Sequence, residues 1–233
     1  MALVPSRTTS RRLRSAYVAV AALDTLLAGT AGRRAHRART VTKPLLMPVL
    51  AASLATDPRA AASPLRTTTL VAQVGGWGGD MLLLGATPER FMAGAGSFAL
   101  GHAAYIGGFR ARRGELRWRA PAALAAVWAV TTPRLALAAA RQDRRLAVTV
   151  AAYSAVLTSM AAASTQVDGS VADPARRATM AGAGLFLLSD AIIGLRELLL
   201  EDSPQRLESA VMLTYAAAQL LLAEGAARAG APG

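Results

Sequence analysis

Two aspartates stand in stretches whose other residues are suited to hydrocarbon. GLFLLSDAIIGL at 184–195 carries Asp190, with no basic residue before Arg196, and GGWGGDMLLLG at 75–85 carries Asp80. A buried carboxylate is costly unless it is paired, and an ionisable group inside a membrane segment marks function by default. Two carboxylates in one low-dielectric cavity can divide acid–base work, one holding a proton while the other stays ionised. Paired acids do this in glycoside hydrolysis, where the reacting centre becomes an oxocarbenium-like cation.

Other polar residues within apolar stretches are Asp24, Lys43, His102, Tyr105, Tyr153, Tyr215 and Gln219. His102 and Tyr105 are spaced i, i+3, and Tyr215 and Gln219 i, i+4, so each pair shares a helix face. No basic residue lies at helical spacing from Asp80, and Arg196 is off the face of Asp190.

The composition points to a membrane. Hydrophobic residues make up 53% of the 233-residue chain, mean hydropathy is +0.34, and charged residues are 17%, against about a quarter in a soluble domain. The net charge of +12 comes from short tracts between apolar segments, SRRLR, GRRAHRAR, FRARRGELRWR and RQDRR. Such tracts read as loops that meet anionic lipid head groups rather than nucleic acid. With no cysteine there is no disulfide, thiol nucleophile or Cys-ligated metal. Two histidines are too few for a His-rich zinc site, and no metal or cofactor is expected.

Eight spans fit between the charge clusters, at 15–32, 43–60, 65–85, 90–109, 120–140, 145–165, 178–200 and 207–226. The expected architecture is all-α, a polytopic transmembrane bundle over 15–226 with a basic tail at 1–14 and a short tail at 227–233. The first helix reads as retained rather than as a cleaved signal peptide. Pro44 and Pro48 predict a kinked or partly re-entrant second helix, and Pro133 an end to the fifth near Thr132. Small-residue runs predict close helix packing. Counting depth along alternating spans puts Asp80, Asp190, His102, Tyr153, Tyr215 and Gln219 in one half of the bilayer. Lys43 falls at the face of that half. Such a slab describes a polar cavity opening to one side.

Six segments come in a distinctive order: TKPLLMPVL at 42–50, GGDMLLLG at 78–85, FMAGAGSFALGHAAYIGGF at 91–109, YSAVLTSMAAAS at 153–164, GLFLLSDAIIGLREL at 184–198 and TYAAAQLLLA at 214–223. Together they resemble the YhhN-like lysoplasmalogenase family of eight-helix membrane proteins, from about residue 40 to the C-terminus. The resemblance implies hydrolysis of the vinyl ether of lysoplasmalogens to a fatty aldehyde and glycerophospho-ethanolamine or -choline. It would place the acidic site residues at Asp80 and Asp190.

The residues suit that chemistry. A vinyl ether is activated by protonation of its β-carbon, and the resulting oxocarbenium ion is attacked by water. The reaction calls for a proton donor and an anion, not a nucleophile or redox group. Tyr153, Tyr215, His102 and Gln219 are candidates to position water or a glycerol hydroxyl, with Tyr105 beside His102, and Lys43 to meet the phosphate. The expected partners are a lysophospholipid substrate and membrane lipid, in a bacterial inner membrane given the Ala- and Arg-rich composition. The competing reading is a small proton- or cation-coupled transporter using the same carboxylates.

Overall fold

The structure, a computed structural model, describes residues 6–85, 87–200 and 202–230. It is all-α: α1 Arg7–Ala28, α2 Arg33–Ala55, α3 Arg66–Leu82, α4 Pro88–Arg110, α5 Arg119–Ala140, α6 Arg144–Ser164, α7 Asp173–Gly194 and α8 Gln205–Arg228. A 3-10 turn, Pro58–Ala60, follows α2, and a π-helical turn, Leu195–Leu199, extends α7. No strand occurs among the described residues, where extended pairing is limited to one bridge between Arg113 and Val167.

Consecutive helices pair as α1/α2, α3/α4, α5/α6 and α7/α8, as short connections require. The last helix is the hub, packing on α7, α1, α2 and α3. By length and apolar composition, α5, α6, α7 with its π turn, and α8 qualify as membrane spans. Arg11, Arg12, Arg14 and Asp24 in α1, Arg39, Lys43 and two prolines in α2, the 17 residues of α3 and the glycines of α4 keep the other four below that measure.

Close approach of α3 and α4 rests on glycine. A Cβ at Gly75 would lie 2.7 Å from the Gly101 backbone nitrogen, and Ser97 donates to the Gly75 carbonyl at 2.8 Å. Small residues thus bring backbones together where lipid supplies no hydrophobic drive.

Three boundaries differ from the sequence expectation. The basic tract at 32–39 is not a loop, since α2 begins at Arg33, and α1 likewise starts at Arg7. Arginine and alanine are good helix formers, so charge here marks exposure rather than a helix stop. Pro44 and Pro48 do not break α2. A proline at 48 leaves the Pro44 carbonyl without its helical donor, and Trp77 Nε1 on α3 supplies one at 3.0 Å. Pro133 does not end α5, which runs on to Ala140.

Away from the polar cavity described below, α1, the α2–α3 connection and α8 are clamped by charge. Asp57 pairs with Arg14 at 3.0 Å and Arg59 at 2.8 Å, and Arg59 also reaches Glu224 at 2.9 Å. Burial pushes the Asp57 carboxyl up, but the hydrogen bonds from Arg59 and the nearby arginine charges outweigh it and hold it below the usual carboxylate range.

Candidate active site

Asp80 lies two residues before the end of α3, and Asp190 four before the end of α7, where the π turn begins. Both line one cavity of about 570 Å³ between α5–α6 and α7–α8. That is within the range of small-molecule sites. Leu124, Val127 and Trp128 from α5, Leu157 from α6, and Leu187 and Phe186 from α7 make its walls chiefly apolar.

Each carboxylate is held by a tyrosine from a different helix. Tyr215 on α8 donates to Asp80 Oδ2 at 2.7 Å, and Tyr153 on α6 donates to Asp190 Oδ2 in a very short contact. Phe186 packs against residues of both groups, its ring centroid 5.5 Å from that of Tyr215 and 4.6 Å from that of His102. His102 Nε2 lies 3.2 Å from the Tyr153 hydroxyl oxygen. With Tyr153 donating to Asp190, the matching tautomer of His102 is the one that carries its hydrogen on Nε2 and donates to Tyr153. Its Nδ1 has no partner among the described residues.

The surroundings of the two acids differ in charge. Lys43 Nζ is 3.7 Å from Asp80 Oδ1, whereas Asp190 makes no ion pair among the described residues. Lys43 is not at a helix start near the membrane face, as the sequence suggested. It sits ten residues into α2 and is buried. The GGWGGD sequence explains how α8 reaches the site. A Cβ at Gly76 would stand 3.2 Å from Gln219 Nε2 and 3.5 Å from the Tyr215 hydroxyl.

Of the nine polar residues singled out in the sequence, Lys43, Asp80, Tyr153, Asp190 and Tyr215 line the cavity. His102 supports Tyr153 from behind. Tyr105 does not share a partner with His102, but donates to Gln219 Oε1 at 3.2 Å beside α8. Asp24 is tied elsewhere, accepting from Thr42 at 2.5 Å and facing Arg39 at 3.5 Å. Sequence reasoning missed Phe186, and it missed a polar strip in which Trp128 donates to Ser154 at 3.1 Å and Thr132 lies 3.2 Å from the same hydroxyl. The i, i+4 spacing of Trp128 and Thr132 on α5 was the available signal. Among the described residues, no three His, Asp or Glu side chains converge as metal ligands would.

The YhhN family model matches residues 38–226. The chain belongs to the YhhN family. No curated protein and no solved structure matches it. The match to the YhhN family spans every cavity-lining residue named above and begins within α2. It agrees with the resemblance carried by the six segments from residue 42 onward. With the four apolar helices, membership in the YhhN family makes this a membrane protein.

Proposed function

We propose that this protein is an intramembrane hydrolase that cleaves the vinyl ether bond of lysoplasmalogens with Asp190 as proton donor and Asp80 as the anionic partner. The observation that carries this reading is the unequal environment of two acids on one apolar cavity. Lys43 and Tyr215 both stabilise a charged Asp80, whereas Asp190 has a tyrosine and no cation. A proton is the cheapest partner for a carboxylate so placed.

In the first step Asp190, with Oδ2 held by Tyr153, delivers its proton to the β-carbon of the vinyl ether. The double-bond electrons form the new C–H bond, and the ether oxygen shares its lone pair with the α-carbon, giving an oxocarbenium ion. Asp80 stabilises that cation through space and takes a proton from the water that attacks the α-carbon. The hemiacetal then collapses: its hydroxyl proton passes to Asp190, restoring the acid, and the C–O bond to glycerol breaks as the glycerol oxygen takes from Asp80 the proton that came from water. The products are a fatty aldehyde and a glycerophospho-alcohol, and water is the sole co-reactant.

Purified protein in detergent tests this against a panel of lysophospholipids with vinyl-ether, alkyl-ether and ester linkages. Aldehyde release from the vinyl ether alone supports the reading. Cleavage of the ester but not the vinyl ether, or no cleavage of any, refutes it. Because no sealed membrane is present, a transporter would release nothing in this assay.

A further inference from the structure

Lys43 is committed to Asp80 at 3.7 Å, so the cavity needs another cation if an anionic ligand is to enter it. Arg134 on α5 lines the same cavity and is exposed. It lies six residues before the end of a helix apolar enough to span a membrane. A guanidinium at that depth is costly without a counter-charge. Among the described residues Arg134 has no carboxylate partner, and its side chain reaches only the Val130 carbonyl of its own helix. That uses one of its five N–H donors.

By contrast, two other arginines near this end of the bundle, Arg39 and Arg196, are paired. Arg39 bonds Glu208 at 2.9 Å, and Arg196 contacts Glu208 and bonds Glu197 at 2.5 Å. Arg134 is the cavity-lining cation left without such a partner among the described residues. Its neighbour Leu135 packs against Gly194, where a Cβ would be 3.4 Å from the leucine methyls, so this turn of α5 lies alongside the end of α7. Gly194 follows Asp190 by four residues on α7, a rise of about 6 Å. The three-carbon glycerol unit that separates an sn-1 ether from its phosphate covers a span of that order.

We infer that Arg134 is the phosphate-binding residue of the cavity and selects lysophospholipids over uncharged ether lipids of the same chain. This rests on the vinyl-ether reading for the identity of the lipid, but the contact itself requires only a phosphodiester beside a long alkyl chain. A guanidinium grips two phosphate oxygens at once, so lysine is not an equivalent replacement.

The test is a binding titration in phospholipid-free detergent, with a saturated 1-alkyl lysophospholipid and the matching 1-alkylglycerol as probes. Neither contains a vinyl ether, so binding is measured whether or not the protein has the proposed activity. Wild type should prefer the phospholipid by about ten- to hundredfold, the scale of a charge-assisted contact. Arg134→Ala should lose most of that preference and Arg134→Lys part of it. Arg119→Ala, at the opposite end of the same helix and outside the cavity, should retain it. Absence of a preference in wild type, or its persistence in Arg134→Ala, overturns the inference. A preference that persists while Arg134→Ala loses only stabilisation by added diacyl phospholipid would assign Arg134 to the surrounding bilayer and likewise overturn it. Failure of the vinyl-ether reading shows separately, as absent aldehyde release with lipid binding intact.

Discussion

The Lys43 ammonium on α2 lies 3.7 Å from the Asp80 carboxylate on α3, and this one contact divides two otherwise similar acids. Tyr215 and Tyr153 play matching parts at Asp80 and Asp190. The lysine has no counterpart at Asp190 among the described residues. It therefore sets the division of labour proposed for the pair.

Lys43→Met removes the counter-charge while keeping the stem volume. The expected result is a loss of aldehyde release of about tenfold or more, with Lys43→Arg intermediate. Stability should fall as well, because removing one partner of a buried pair leaves the other uncompensated, at about 3–5 kcal/mol in the general case. Michaelis parameters and thermal melts of the two variants check this.

The second prediction concerns how α2 tolerates two prolines. Trp77 donates to the Pro44 carbonyl that Pro48 leaves free. Trp77→Phe should cost about 1 kcal/mol in wild type. In a Pro48→Ala background the helix supplies its own donor at that carbonyl, and the cost should shrink. A double-mutant cycle on thermal or denaturant unfolding measures the coupling.

The fold was legible in the sequence where hydrocarbon and charge alternate. Eight apolar stretches became eight helices, and the depth count that set Asp80 and Asp190 in one half of the bilayer agrees with their sharing one cavity. Boundaries were legible only in part. Basic tracts signal exposure, and Arg33, Arg34 and Arg37 are helical as well as exposed, so the start of α2 fell ten residues before Lys43. Prolines signal a missing donor, but whether the freed carbonyl finds another depends on a side chain 33 residues away. The pairing of Lys43 with Asp80, the contacts of Phe186 with Tyr215 and His102, and the place of Arg134 are tertiary relationships. Spacing along one helix carries none of them.

The glycine contact between α3 and α4 gives a third prediction. Gly75→Ala should destabilise by about 1–3 kcal/mol, because the new methyl meets backbone that has little room to move. Gly96→Ala, whose Cβ would find nothing within 4 Å, should be neutral or slightly stabilising. Comparing the two melts separates crowding from helix propensity.

Acid should act through the Asp57 clamp. Its carboxyl is held below the ordinary value of 3.8 by Arg59 and Arg14 despite burial. A depressed carboxyl contributes stability that is complete above its unfolded value and is lost as pH falls through its folded value. The contribution should thus be constant from neutral pH down to about 4 and disappear below that. Asp57→Asn should lower the melting temperature at pH 7, and the difference from wild type should shrink below about pH 4. Melts of both proteins across that range provide the check.

The central claim is that Asp190 delivers the proton that opens the vinyl ether. It is tested most directly by the rate of aldehyde release from a vinyl-ether lysophospholipid by purified wild type and Asp190→Asn. The amide keeps the shape and a hydrogen-bond partner for Tyr153 but has no acidic proton. The account predicts aldehyde from wild type and a loss of about a hundred- to ten-thousandfold in the folded variant, the range for a general acid. Full activity in a folded Asp190→Asn protein would contradict it.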